Sequence, residues 1–455
     1  MTTHGFPETH VFFRKLTAHL PVIERSAGCW LYDADGNAFL DACGGAFVVN
    51  VGHGVAEIAD AMAEQARRLA YVSGAAFSNE PVEELAAEMA ALAPGDLDRV
   101  YPLSSGSDAI EAALKLGRQY WLECGRARKH KIIALAPAYH GNTLLALSAS
   151  AREHYRTHYY GWLVNVVRIP APYAYRCGCG GIPPYCPACS GAALEEAIVR
   201  EDPETVAVFI AEPVGGSSTG ASVPPPEYFR RVREICDRYD VLFVADEVLV
   251  GAGRTGTWSA LEPSGVVPDV MVMGKGIAGG YAPLAAVVAP TRIADVLARG
   301  SGALNHAQTF SHHPVLCAAG VATIRYLRAH RLVERCAAIG PVLQRRLARL
   351  RELPYVGDVR GRGLLAGVEL VEDKETRAPF AREAHVAERL RAAARDVGLV
   401  VWPNVGHANG ERGDTIMIAP PFIITEDEIE MIGDRLDAAL VTVSRTLTGA
   451  SSANA

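Results

Sequence analysis

The sequence predicts an α/β fold. A large domain with a mostly parallel, seven-stranded sheet is joined by a smaller α+β domain built from both ends of the chain. Three observations carry this. Seven short apolar runs, "RVYPL", "KIIAL", "NVVRI", "VAVFIAE", "VLFVADEV", "DVMVM" and "APLAAVVA", fall between residues 99 and 289. Helical patterns separate several of them, and the runs are continuous rather than alternating, as in strands covered on both faces. The flanks are poorer in strands and richer in helices. The boundaries read as 1–75 and 321–455 for the two parts of the smaller domain and 76–320 for the large one, and 455 residues suit two or three domains.

Taken in order, residues 22–41, around "GCWLYDADGNAFLDA", form a hairpin turning at Asp35-Gly36. A helix follows within 54–71. After the first apolar run, "SDAIEAALKLGRQYWLECG" places Ile110, Ala113, Leu114, Gly117 and Trp121 on one helical face, with Ser107 or Asp108 as cap and Gly125 as stop. Another helix, within 225–240, is entered through prolines. Beyond residue 320 come two long helical patterns, "DVRGRGLLAGVEL", a further helix, "LVVWP" and "TIMIAPP". A last helix starts at Thr425, with Glu428 completing a capping box. The small polar tail, 447–455, is expected to fray.

Composition narrows the function. The net charge is -7 with no long basic block, which argues against nucleic acid as partner. "MTTHGFPETHVFFRKL" has no apolar leader, and no run is long enough to span a bilayer. Ten cysteines in so long a chain do not suggest a disulfide scaffold. The expectation is a cytoplasmic protein with no membrane or nucleic-acid partner.

Four features carry chemistry. In "VMVMGKGIAGG", Lys275 stands between glycines at the end of an apolar run. Desolvation there favours the neutral, nucleophilic amine, although a lysine in a surface turn would read the same. In "PLSSGSDAIEAALKL", Ser105, Gly106 and Ser107 sit where a strand turns into a helix. Free N–H groups and hydroxyls make that an anion site, or an ordinary serine cap. Asp246 ends an apolar strand and is costly to bury without a cation or backbone donors. Tyr139, in "APAYHGNT", can offer a face to a planar ring. Gly251, Gly253 and Gly256 spell a G-x-G-x-x-G, but the following "TWSALEPSGVVPD" lacks the helical pattern that a dinucleotide site requires. A phosphate cradle, a stacking ring, an acid for a ring nitrogen and a desolvated lysine together match the needs of pyridoxal 5'-phosphate.

At this point the chain resembles the class III, or omega, aminotransferases, pyridoxal-phosphate enzymes of fold type I. The similarity runs nearly end to end, through "LYDADGNAFLDACGG", "SSGSDAIEAALKLGRQY", "AYHGNT", "AEPVGG", "ADEVLVGAGRTGTW", "PDVMVMGKGIAGGYAPLAA", "QTFSHHPV" and "APPFIIT". The resemblance implies Lys275 as the Schiff-base lysine and Asp246 as partner of the ring nitrogen. It implies Ser105, Gly106 and Ser107 at the phosphate, Tyr139 stacked on the ring with His140 beside it, Val248 on the opposite face and Glu212 nearby. Thr309 would reach the phosphate of a neighbouring subunit in a homodimer or a larger assembly. Lyases, racemases and decarboxylases share this fold. A nucleotide-dependent oxidoreductase and a non-catalytic zinc-binding protein are the more distant alternatives.

Two departures stand out. Many relatives carry a carboxylate-gripping arginine where this chain has Met417, and Ala46 and Phe47 replace larger residues. With Phe77, these predict an apolar pocket for an uncharged amino compound, unless Arg152, Arg156 or another arginine enters from elsewhere. The second departure is "RCGCGGIPPYCPACSG". Cys177, Cys179, Cys186 and Cys189 are compatible with a zinc knuckle or with a loop of free thiols, and no metal is expected in the catalytic site.

Overall fold

The computed structural model describes residues 2–452, with side chains through residue 447. Residues 447–452 of the tail expected to fray continue the last helix, and 453–455 lie outside the described residues. Seven strands form one sheet: β1 (Leu97–Leu103), β2 (Lys131–Ala136), β3 (Val167–Pro170), β4 (Val206–Ala211), β5 (Leu242–Asp246), β6 (Val270–Met273) and β7 (Ala285–Pro290). Their order is β1–β7–β6–β5–β4–β2–β3. β7 runs antiparallel to both neighbours and every other pair is parallel. All seven predicted runs are strands. Every residue of β4, β5, β6 and β7 is buried, which is why their sequences are apolar throughout.

Helix α1 (Gly106–Glu123) buries Ile110, Ala113, Leu114, Gly117 and Trp121, the face its period predicts. It starts earlier than expected. Ser105, not Ser107 or Asp108, is the cap, its hydroxyl accepting the Asp108 N–H at 3.2 Å. The segment holding Gly251, Gly253 and Gly256 is a chain of turns that opens into no helix, so the dinucleotide pattern lacks its context.

The chain termini build three further sheets, the smallest a pairing of Thr3–His4 with Leu20–Pro21. Hairpin strands Trp30–Asp33 and Ala38–Asp41 turn through Gly36 and are extended by Leu399–Val400, which pairs parallel to Ala38–Asp41. Val356–Arg362, Leu365–Leu370, Asp414–Ile418 and Trp402–Val405 form the other, antiparallel sheet. The last helix, Glu426–Ser452, opens with the predicted capping box. Glu428 accepts the Thr425 N–H at 2.9 Å, and the Thr425 hydroxyl accepts the Glu428 N–H at 3.2 Å. The Trp30 indole N–H donates to the same Glu428 at 2.8 Å, tying the first hairpin to the last helix. No described helix is long and apolar enough to cross a membrane.

Candidate active site

The carboxyl ends of the central strands open on a cleft of ≈ 290 Å³, where open α/β sheets place ligands. Lys275, two residues past β6, opens a single helical turn with φ at +46°. Phe47, across the cleft, has φ at +64°, and the Lys275 Nζ lies 5.9 Å from its ring centre. Left-handed backbone in such residues costs on the order of 1–3 kcal/mol, and it gathers at functional sites. The glycine after the lysine is needed for close packing. A Cβ on Gly276 would lie 2.8 Å from the Asn50 amide nitrogen, which instead donates to the Gly276 carbonyl at 3.0 Å. Burial lowers the Lys275 pKa, while Asp246 and Glu212 pull it back up.

Asp246 closes β5. One carboxylate oxygen accepts the Val248 N–H at 3.1 Å, and the other lies 2.7 Å from the His140 Nδ1. The His140 Nε2 is buried without a protein partner, and His140 lines the cleft. Glu212, just past β4, accepts the Gly216 N–H at 2.9 Å and the Tyr139 N–H at 3.3 Å. Burial raises its pKa, against the pull of His140. Tyr139 and Val248 also line the cleft.

The amino end of α1 forms the third wall. Gly106 must stay small, because a Cβ there would meet the Val248 side chain at 3.0 Å. The serines beside it differ. Ser105 donates its hydroxyl proton to Asp108 at 2.7 Å. The Ser107 oxygen accepts the Asn142 N–H at 3.1 Å, and its proton has no acceptor among the described residues. One hydroxyl donor, the free N–H groups of an 18-residue helix and its positive end therefore face the cleft.

Several residues absent from the sequence reading complete the wall: Arg14, Tyr155, Ser217, Leu249 and Trp402. Arg152, which the sequence left open, is buried there. It donates to Ser217 at 3.0 Å and to Asn404, and its guanidinium lies 5.0 Å from the Tyr155 ring. No carboxylate among the described residues is within ion-pair distance of it. Arg14 donates to the Tyr155 hydroxyl at 2.6 Å. Arg156 is bound to Glu153 at 2.7 Å and does not line the cleft.

The pocket expected around Met417 needs correction. Met417 is 0% exposed and packs with Phe47, Leu249 and Leu365, while the rings of Phe47 and Trp402, 5.4 Å apart, face the cleft. Trp402 pairs with Met417 across the sheet, so the aromatic ring occupies the cleft wall and the thioether fills the core beside it. Ala46 and Phe47 do line the cleft, but Phe77 is 67% exposed and lies outside it. Thr309 is exposed too, and its carbonyl accepts the Tyr71 hydroxyl at 2.9 Å.

A helix end for a phosphate, a buried acid backed by a histidine, and a lysine with lowered pKa suit pyridoxal phosphate. The comparisons agree. The profile of the class-III aminotransferases matches residues 13–440. An uncharacterized aminotransferase of Schizosaccharomyces pombe is 37% identical over 97% of this chain and 96% of its own. An (S)-enantioselective omega-transaminase from Thermomicrobium roseum superposes at a TM-score of 0.88, with 36% identity over 96% of this chain and 97% of its own. An amine transaminase from an uncultivated Pseudomonas species, solved with pyridoxal phosphate bound, gives 0.84, with 34% identity over 96% and 97%. With the family pattern spanning all three walls of the cleft, the chain belongs to the class III aminotransferases and is a pyridoxal-phosphate-dependent transaminase of fold type I.

Proposed function

We propose that this transaminase carries an amino group from an uncharged amino donor to a carboxylate-bearing carbonyl acceptor, with Lys275 as the residue that moves the proton. The observation behind this reading is the convergence of Lys275, Asp246 and the α1 terminus on one cleft that also holds a buried arginine without an acidic partner.

Pyridoxal phosphate, when bound, supplies the carbonyl that exchanges with the amino group and a ring that withdraws electrons. The chain does the rest. Ser107, Gly106 and the α1 N–H groups would hold the phosphate, with Ser105 fixing the helix end. Asp246, positioned by His140 and the Val248 N–H, would hold the ring nitrogen and keep it protonated. Tyr139 and Val248, which line the cleft, would hold the ring, and Glu212 braces the Tyr139 backbone. The neutral Lys275 Nζ would take a proton from the substrate carbon and give it up again, acting as base and then acid. Burial, which lowers its pKa, increases the neutral fraction available. Phe47 and Trp402 exclude water and receive the apolar part of the donor, and Arg152 receives the acceptor's carboxylate. Thr309 and Phe77, exposed in one chain, complete the site of a second subunit in a homodimer.

Borohydride treatment of the purified yellow enzyme should fix the cofactor on the peptide containing Lys275. Lys275→Ala should abolish turnover and still bind cofactor. Fixation on another lysine would overturn the assignment. Donor consumed without an equal amount of aminated acceptor would replace transamination by a lyase or decarboxylase reaction.

A further inference from the structure

The four cysteines that the sequence left open converge in space. Cys177 and Cys179 lie 3.5 Å apart at sulfur, Cys177 and Cys189 3.4 Å, and Cys179 and Cys186 3.4 Å. All four sulfur atoms lie within 4.8 Å of one another. A disulfide needs a separation of about 2.05 Å. A tetrahedral zinc with bonds of about 2.3 Å sets its sulfur atoms about 3.8 Å apart. The cluster fits the second spacing and not the first.

Apolar burial does not explain the convergence, since Cys177, Cys179 and Cys186 are only partly buried. The backbone is shaped for it instead. The chain reverses through Gly180 and Gly181, both at positive φ, directly after Cys179. It then presents Cys186 and Cys189 from one tight turn, in which the Cys189 N–H donates to the Cys186 carbonyl at 3.0 Å.

We infer that Cys177, Cys179, Cys186 and Cys189 bind a zinc ion as a tetrathiolate, a structural site that pins this loop to the sheet built from the C-terminal part. On binding, four thiols release their protons to solvent and four sulfur–zinc bonds form, with no change of oxidation state. None of the four cysteines lines the catalytic cleft. The residues just before the cluster show what it pins. Arg176 donates to Glu369 at 2.7 Å and to the Arg377 carbonyl at 3.0 Å, and the Tyr173 hydroxyl donates to Glu369. Glu369 is fully buried on Leu365–Leu370 and also meets Arg360 at 2.8 Å and His407 at 3.1 Å. A fixed Cys177 therefore fixes Arg176 against that sheet.

The test measures metal on the cofactor-loaded enzyme, produced with zinc in the medium and purified without chelator. Elemental analysis should find about one zinc per chain, released in step with titration of the four thiols by a mercurial. Exchange for cobalt should give thiolate-to-cobalt charge-transfer bands and the visible bands of tetrahedral cobalt. Cys179→Ser/Cys186→Ser should reduce zinc to trace level and leave the cofactor's visible band in place. Zinc-free enzyme with four reactive thiols, disulfides in the peptide map, or iron in place of zinc would each overturn the assignment. The zinc, thiol and cobalt readouts come from the wild-type enzyme, so a variant that fails to fold does not decide the question. They involve no turnover, so they stand apart from the test of Lys275.

Discussion

At the scale of the residue, Arg152 is proposed as the side chain that reads substrate charge. Its guanidinium is buried, donates to a hydroxyl and an amide oxygen, lies over the Tyr139 and Tyr155 rings and has no carboxylate within ion-pair distance among the described residues, and burial lowers its pKa. An uncompensated buried cation is costly, and an incoming carboxylate relieves that cost. Charge-assisted hydrogen bonds of this kind contribute about 1.5–3 kcal/mol, so Arg152→Met should lower kcat/KM for a 2-keto acid acceptor roughly ten- to hundredfold. An uncharged aldehyde acceptor should change far less. Equal losses for both acceptors in steady-state assays would make Arg152 a positioning residue only. Lys275 and Asp246 were legible in the sequence because a charged residue ending an apolar strand is expensive and therefore conspicuous. Arg152 could be named only as one of several arginines, because "SASAREHYR" is polar and its burial depends on Asn404, far away in the chain. Met417 misled for a related reason. A position on a strand does not reveal which neighbouring side chain occupies the cleft, and Trp402, paired with it across the sheet, is the one that does.

At the scale of the element, the two serines at the head of α1 divide two tasks that sequence alone merged. Ser105 caps the helix, and its proton is already taken by Asp108. Ser107 keeps a proton to give. Ser105→Ala should therefore destabilise the protein by about 1 kcal/mol, with the larger part of its effect in thermal unfolding. Ser107→Ala should weaken cofactor binding by about tenfold at nearly unchanged apoenzyme stability. Unfolding midpoints of the apoenzyme and cofactor dissociation constants separate the two, and the reverse pattern would exchange their roles. Strands β4 to β7 were legible because burial on both faces leaves an unbroken apolar run, whereas β1, β2 and β3 are partly exposed and were marked by shorter apolar stretches. The direction of β7 is marked more faintly, by the short link from Met273 to Ala285. A parallel crossover takes a dozen or more residues and usually a helix, and the single turn Lys275–Ala278 cannot provide it.

At the scale of the whole molecule, the exposed surface near the cleft bears on assembly. Phe77, Phe310 and Tyr71 are all exposed, and the rings of Tyr71 and Phe310 lie 6.1 Å apart beside Thr309. Apolar residues gathered in this way mark contact surfaces. Sedimentation at assay concentration should show a dimer, and Phe77→Asp/Phe310→Asp should shift it towards monomer with loss of cofactor affinity. An active monomer would count against the shared site. The parallel pairing of Ala38–Asp41 with Leu399–Val400 bears on how the molecule is made. Leu40 meets Leu399 in that register, so the first hairpin cannot finish its sheet until almost the whole chain has left the ribosome. At synthesis rates of about 5–20 residues per second, that wait is roughly 20–70 s. Through that interval the growing polypeptide carries an open strand edge at its front end, and it needs shelter from neighbouring nascent chains until its own last hundred residues arrive.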